Sequence, residues 1–291
     1  MYSLVGPEEI IKTIYTLSHP YLHLGVTPSF KDIKLGLRQH LSKIQPNVVR
    51  SQKNDVEFIS FGERIKPLLD ILRIGEEKKS DNETKKMSCE EALERVVSGF
   101  DYFCQKEVQL SDIFRIVADT VLVTNDVKIS GSATISNAIG IIWIQPDYWW
   151  TKKDMLEALV HELTHTLLFL DEQRYGHYNK SKNLNNPSTW VPSAIRNELR
   201  PVNGVVYSII VATEILNLRQ KHEYKKHELK LHGSSSDLFM KTKNALDAIL
   251  QQPTSWDLLS PRMQFLLKTT DNLLNLLYQK IVGDKENVTR T

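Results

Sequence analysis

The chain has 291 residues, of which 41% are hydrophobic and 25% are charged, with a formal net charge of +2. These values are typical of a globular protein with one large domain or two smaller ones. Because the net charge is small, neither nucleic acid nor an anionic membrane is an expected partner. No apolar run is long enough to cross a membrane. The segment Met1–Glu9 does not resemble a secretory signal, so we expect a cytoplasmic protein.

The N-terminal part of the chain is predicted to contain helices and a strand. Helices are predicted at residues 7–18, 30–43, 65–74 and 88–103, and a strand with alternating apolar and polar residues at 56–61. Residues 75–87 are highly charged and contain almost no core-forming residue, which is typical of a solvated linker. This segment predicts a boundary between an N-terminal subdomain of helices and a strand at residues 1–80 and a metal-site domain with C-terminal helices at residues 88–291. The alternative is a long surface loop.

The middle of the chain is predicted to form a small sheet. Strands are predicted at residues 120–124 and 138–145, with turn-forming residues between them at 128–132, and helices follow at 205–218 and 263–281. The second strand leads into the helix that carries the motif described next. The expected fold class is α+β, predominantly helical, with a small sheet packed beside this helix. A strand in that place can bind an extended peptide at its edge, or it can serve only to support the helix.

The most informative motif is the H-E-x-x-H sequence His161-Glu162-Leu163-Thr164-His165. Residues four apart lie one turn above each other on a helix, so both imidazoles can bind one metal ion. A capping box at Thr151–Asp154 and apolar residues at helical spacing indicate that the motif lies within a helix. The alternative is two His residues on a partly exposed helix face with a solvated Glu between them.

Two imidazoles leave a metal under-coordinated, so a further protein ligand is expected after the motif. The candidates are Glu198, Tyr207 and Glu214, and also His177, which lies in a predicted irregular loop at residues 171–186. For Glu214, an ordinary salt bridge with a Lys or Arg is an equal alternative.

Arg200 is a candidate for binding a carboxylate. It lies in the sequence Arg200-Pro201-Val202-Asn203-Gly204, where Pro and Gly predict a rigid turn before a helix. A guanidinium fixed in such a turn can form a bidentate pair with the carboxylate of a co-substrate or a peptide. The alternative is an ordinary salt bridge to Glu198 or to a helix end.

Taken in their order along the chain, these motifs resemble the H-E-x-x-H peptide-modification proteins encoded beside ribosomally made, post-translationally modified peptides. That group is regarded as 2-oxoglutarate-dependent iron peptide β-hydroxylases. The resemblance is good at Glu157–His165 and Arg200–Gly204, looser at Ser132–Ile144 and Trp190–Pro192, and covers residues 130–215. One position differs, since the family pattern has a His three residues after the Gly of R-P-x-x-G, where this chain has Tyr207.

The resemblance implies an Fe(II)- and 2-oxoglutarate-dependent dioxygenase that hydroxylates a side chain of a precursor peptide in natural product biosynthesis. In this interpretation His161 and His165 hold Fe(II), and Arg200 pairs with the 2-oxoglutarate carboxylate. Glu162 is then a ligand or a base. The motif alone also fits a zinc metallopeptidase with Glu162 as the general base. Because Tyr207 replaces the family's His, a third interpretation is a non-catalytic peptide-binding protein with a structural metal. A peptide partner is common to all three.

Overall fold

The computed structural model of the protein describes residues 1–23, 25, 27–72, 87–125, 131–179, 183–193, 198–224 and 231–288. The chain forms two compact units. The sheet unit contains Pro7–Leu170, and the helical unit contains Met1–Gly6 together with Asp171–Thr291. The predicted linker at residues 75–87 falls within the sheet unit, so the predicted boundary there is not the division between these two units. All of that linker except Met87 lies outside the described residues.

The sheet unit begins within helix α1 (Tyr2–Ser18), which bends at Gly6, where φ is 77°. Its other elements are α2 (Phe30–Ile44), β1 (Glu57–Ile59), α3 (Ile65–Leu72), α4 (Cys89–Lys106), α5 (Val108–Val117), β2 (Thr120–Val123), β3 (Gly131–Ala133), β4 (Ile141–Gln145) and α6 (Lys152–Tyr175), which continues into the helical unit. Helices α2 and α4 begin after Ser29 and Ser88, whose side chains accept hydrogen bonds from the backbone three residues later. These serines therefore fix where the two helices start.

The strands of this unit form a mixed sheet in the order β1-β2-β4-β3. Strands β1, β2 and β4 are parallel, and β3 is antiparallel to β4, with Gly131 opposite Gln145. Every residue of β2 and β4 is buried, as is typical of parallel strands that are covered on both faces. The residues of β3 are partly exposed, and β4 is its one neighbour among the described strands. Within the described chain, β3 is therefore an edge strand.

The predicted fold class, predominantly helical α+β with a small sheet, is confirmed. The strand predicted at 120–124 forms β2, and the one predicted at 138–145 forms β4 with a later start, because residues 136–138 form a 3-10 turn. The sequence does not predict α5 or β3. The residues of β3 are Gly, Ser and Ala, which favour strands weakly, so their extended conformation depends on pairing with β4.

The helical unit surrounds helix α7. Its elements after α6 are β5 (Val191–Pro192), β6 (Leu199–Arg200), α7 (Val202–Lys221), α8 (Ser235–Gln251), α9 (Pro253–Trp256) and α10 (Pro261–Val288). Strands β5 and β6 form an antiparallel pair. Helix α7 is buried along most of its length and packs against α8 and α10. A helix that is apolar on nearly every side is expected in such a central place.

The helices predicted at residues 205–218 and 263–281 are confirmed as α7 and α10, and both are longer than predicted. The loop predicted at residues 171–186 is wrong at its start, because α6 continues to Tyr175. Residues 180–182 of that loop lie outside the described residues. None of the helices in the described part of the chain is long and apolar enough to cross a membrane.

Candidate metal centre

The start of α6 is fixed by the predicted capping box. The Thr151 hydroxyl accepts a hydrogen bond from the Asp154 backbone N–H at 3.2 Å, and the Asp154 carboxylate accepts one from the Thr151 backbone N–H at 2.9 Å. These bonds satisfy two backbone donors that the first turn of a helix leaves without partners. The start of the helix is therefore fixed ten residues before His161. The helical periodicity from this start determines on which face the motif side chains lie.

The two predicted metal ligands lie together on α6. The ring centroids of His161 and His165 are 4.9 Å apart, and the ring of His165 stacks on Phe169. The His165 Nδ1 atom is buried without a hydrogen-bond partner in the described part of the chain. Burial lowers the pKa of His165 to about 4. His165 is therefore neutral at pH 7, which is the state in which an imidazole binds a metal.

The Glu162 carboxylate is buried and lacks the partners that such a group needs. Its residue is 1% exposed, and neither oxygen has a hydrogen-bond partner among the described residues. Burial raises the pKa of this carboxyl to about 7, against the opposing effect of the nearby Ser132 and Thr134 hydroxyls. Neither hydroxyl forms a hydrogen bond of normal geometry with it, and His161 Nε2 lies 3.9 Å from Oε1. A buried carboxylate with no donor is costly, so the site favours an added cation.

The orphaned atoms of Glu162 and His165 fit a bound metal ion. The ion would bring positive charge to the buried carboxylate, and the imidazole nitrogens would supply the lone pairs that bind it. Ser132 belongs to β3 and Thr134 follows that strand, so the carboxylate lies beside the edge of the sheet. The candidate metal site therefore lies beside the edge strand β3.

Three of the four candidates for a further ligand, Glu198, Tyr207 and Glu214, each already have a protein contact in the helical unit. The Glu214 carboxylate accepts hydrogen bonds from the Met1 ammonium group and from Ser3, at 2.9 Å from its backbone N–H. The Tyr207 hydroxyl donates to Glu172 at 2.7 Å. Glu198 is 56% exposed. Among the described residues there is no group of three or more His, Cys, Asp or Glu side chains placed to hold a metal.

Arg200 lies at the end of β6, and its side chain is 38% exposed. Its Nε atom is 3.7 Å from Glu198 Oε1, so the two charges attract each other at a distance too long for a hydrogen bond. A Cβ atom at Gly204 would lie 3.9 Å from the guanidinium carbon of Arg200. The R-P-x-x-G sequence therefore brings the first turn of α7 beside the arginine.

His177 lies in a polar network that we name the Asp171 network, formed by Asp171, Glu172, His177, Tyr207 and Arg262. The His177 ring is fully buried, with Nε2 2.9 Å from Asp171 Oδ2 and Nδ1 2.7 Å from the Tyr207 hydroxyl. Arg262 donates to both oxygens of Asp171, at 2.7 and 3.0 Å. Asp171 and Arg262 are 91 positions apart, so no local spacing in the sequence indicates this network.

Of the predicted site residues, the structure brings His161, Glu162 and His165 together in the sheet unit. Within the helical unit, it brings Glu198 close to Arg200. Neither a protein-family model nor any of the curated proteins compared matches this chain. The basis for a function is therefore the chemistry of the site and the sequence resemblance.

Proposed function

We propose that this chain is a metal-dependent enzyme that modifies a peptide, with Fe(II)- and 2-oxoglutarate-dependent β-hydroxylation of a side chain as its reaction. The observation that carries the metal assignment is the Glu162 carboxylate, buried without a donor beside the imidazoles of His161 and His165. Buried carboxylates that serve only the fold are normally paired or hydrogen-bonded. The burial of the Glu162 carboxylate is better explained by a bound metal ion that supplies the missing positive charge.

Each residue of the site has a separate role in this proposal. His161 and His165 hold the metal, and Glu162 either completes its ligands or holds a proton beside it. When bound, the metal would supply the activation of dioxygen if it is iron, or of water if it is zinc. Strand β3 would hold an extended peptide by main-chain hydrogen bonds at its edge, next to Ser132 and the Glu162 carboxylate.

Hydroxylation is favoured over hydrolysis because two separate parts of the sequence resemble the hydroxylase group, Glu157–His165 and Arg200–Gly204. The same resemblance assigns Arg200 to a carboxylate of 2-oxoglutarate. The contact between Arg200 and Glu198 does not oppose this role, since at 3.7 Å it is longer than a hydrogen bond and both side chains are partly exposed.

Zinc-dependent peptide hydrolysis is the second candidate, and the place of Glu162 favours it. The carboxylate lies beside the edge strand, where a bound peptide would present its backbone, and no donor within the described chain engages it. A carboxylate in this position can accept a proton from an attacking water as a general base. The two candidates share the metal ligands and the peptide, and they differ in the reaction.

The reaction can be tested directly with a pool of synthetic extended peptides. The protein is loaded anaerobically with Fe(II) and the pool, and oxygen and 2-oxoglutarate are then added. We expect peptides that gain one oxygen atom on a side-chain β-carbon, with one succinate released for each, as measured by mass spectrometry. The His161→Ala variant is the control and should give neither product, because it lacks one proposed metal ligand.

A parallel reaction with Zn(II) and no 2-oxoglutarate tests the second candidate. Cleavage of the peptides that depends on zinc but not on oxygen would replace hydroxylation by hydrolysis. If neither metal supports any change in the peptides, the proposal of a peptide-modifying metalloenzyme is wrong.

A further inference from the structure

Two hydroxyl groups lie beside the Glu162 carboxylate inside the sheet unit. Ser132 belongs to β3, and Thr134 follows the last residue of that strand. Residues two apart in an extended segment lie on the same face, so both side chains can be directed at α6. Burial raises the pKa of Glu162, and the Ser132 and Thr134 hydroxyls are close enough to lower it in part. The carboxylate therefore has two neighbours that can donate to it, although neither contact has the geometry of a hydrogen bond.

Thr134 provides the observation that connects these hydroxyls with the carboxylate. The residue is 9% exposed, and its Oγ1 atom is buried without a hydrogen-bond partner in the described part of the chain. The buried hydroxyl of Thr164, in contrast, donates to the Val160 carbonyl at 2.7 Å. A buried hydroxyl without a partner costs free energy, and so does the carboxylate beside it. Each of the two groups therefore supplies what the other lacks, a donor and an acceptor.

A rotation of two side chains is sufficient to join them. The last torsion of a Glu side chain has a broad range of allowed angles, and a hydroxyl hydrogen turns toward its acceptor. An ionised carboxylate can accept several hydrogen bonds, and those to a charged acceptor are shorter and stronger than neutral ones. No ligand has to reach these buried atoms, because both partners belong to the chain.

A hydrogen bond from Thr134 would hold the Glu162 carboxylate in one orientation. Its Oε1 atom lies 3.9 Å from Nε2 of His161, one of the proposed metal ligands. Side chains that orient the groups around a metal by hydrogen bonds typically contribute about 10–100-fold to metal affinity. The direction in which this carboxylate is held therefore affects how tightly the site binds its ion.

We propose that Thr134 is a positioning residue for Glu162. Its hydroxyl donates to the Glu162 carboxylate and, together with the Ser132 hydroxyl, holds this carboxylate in the orientation that serves the metal. The positioning role rests on the proposed function, because it needs a metal ion bound by His161 and His165. The hydrogen bond itself does not depend on the metal.

The positioning role is tested with Co(II) alone, because the visible absorption of this ion depends on the groups around it. The full-length wild type, Thr134→Val and Thr134→Ser are titrated with Co(II) without oxygen. Val keeps the shape of Thr but has no hydroxyl, whereas Ser keeps the hydroxyl. We expect Thr134→Val to bind Co(II) about 10–100-fold more weakly and with an altered spectrum. Thr134→Ser should restore the affinity and the spectrum of the wild type.

Thr164→Val is the matched control. Thr164 is also buried and lies within the motif, but its hydroxyl already donates to a carbonyl of its own helix. This variant should bind Co(II) as the wild type does. Wild-type affinity and spectrum in Thr134→Val would overturn the proposal. An equal loss of affinity in Thr134→Ser would also overturn it, because the loss would then come from packing and not from the hydroxyl.

The hydrogen bond is tested without metal by urea unfolding at pH 8, above the pKa of Glu162 of about 7. Thr134→Val is made in the wild type and in Glu162→Met, which has no oxygen to accept the bond. We expect it to raise the equilibrium constant of unfolding roughly tenfold in the wild type, the scale for a hydrogen bond to a charged group, and much less in Glu162→Met.

Equal effects of Thr134→Val in the two backgrounds would show that the proposed bond does not form, and the inference would be wrong. Unequal effects in a protein that binds no Co(II) would confirm the bond but overturn the proposed function, and the positioning role with it. The two failures are therefore distinguished by separate measurements.

Discussion

If the chain carries out the proposed reaction, the Glu162→Gln variant should lose peptide hydroxylation at limiting iron and regain most of it when iron is in excess. The amide keeps the shape of the side chain but cannot neutralise the metal, and loss of such an interaction weakens metal affinity by roughly 10–100-fold. Hydroxylation needs no base at this position. Hydrolysis does, so a peptidase would lose roughly 10²–10⁴-fold in turnover, and excess zinc would not restore it.

The same variant has an expected effect on the metal-free protein. Burial raises the pKa of Glu162 to about 7, so ionising this carboxyl destabilises the fold as the pH rises from its unfolded value of about 4.3 to about 7. Gln carries no charge at any pH. The free energy of unfolding of Glu162→Gln relative to wild type should therefore increase over this interval, as measured by urea unfolding without metal. A difference that is constant with pH would mean that the carboxylate has a partner.

The Asp171→Asn variant should lower the free energy of unfolding by about 3–5 kcal/mol at pH 7, the scale for removing one partner of a buried ion pair. The Asp171 side chain is 2% exposed and accepts hydrogen bonds from Arg262 and His177. When Asn replaces Asp171, the mostly buried Arg262 guanidinium loses its ion pair with this side chain. Urea unfolding measures the loss.

Asp271→Asn is the matched control. Asp271 forms an ion pair with Lys243 at 2.8 Å in which both side chains are 27% exposed, so its loss should cost less than about 1 kcal/mol. If the two variants lose the same free energy of unfolding, the burial of the Asp171 network does not strengthen its ion pair.

The stability difference between wild type and Asp171→Asn should also depend on pH. Burial alone would raise the pKa of Asp171, but hydrogen bonds from His177 and Arg262 outweigh it and hold the pKa below its usual range. A lowered pKa stabilises the fold above the unfolded value of about 3.9 and loses this effect as the pH falls through the folded value. The difference in the free energy of unfolding between wild type and Asp171→Asn should therefore become smaller below about pH 4.

The sequence predicts the parts of the site that depend on local interactions. The capping box at Thr151–Asp154 and the spacing of His161 and His165 are sufficient to place both imidazoles on one side of a helix. The apolar runs that form β2 and β4 are equally local signals. Helix α8 also has such a signal, since the Ser234 side chain caps it by accepting from the Asp237 backbone, but α8 is not among the predicted helices.

The remaining features depend on contacts that no local pattern contains. Strand β3 is extended because it pairs with β4, although its own residues are poor strand formers. The Asp171 network brings Asp171 to Arg262, far along the chain, and it engages Tyr207 and His177, two residues that the sequence offered as metal ligands. The burial of Glu162 without a donor is likewise a result of packing in three dimensions.

Calorimetric titration of the metal-free protein with Fe(II) or Zn(II) tests the central claim most directly. We predict that the wild-type chain binds one metal ion, that His161→Ala and His165→Ala bind none, and that all three have the same folded circular dichroism spectrum. His19→Ala, a change of an exposed His elsewhere in the sheet unit, should bind as the wild type does. A wild-type protein that takes up neither metal, or a His165→Ala variant that binds as tightly as the wild type, would contradict the assignment of this motif as a metal centre.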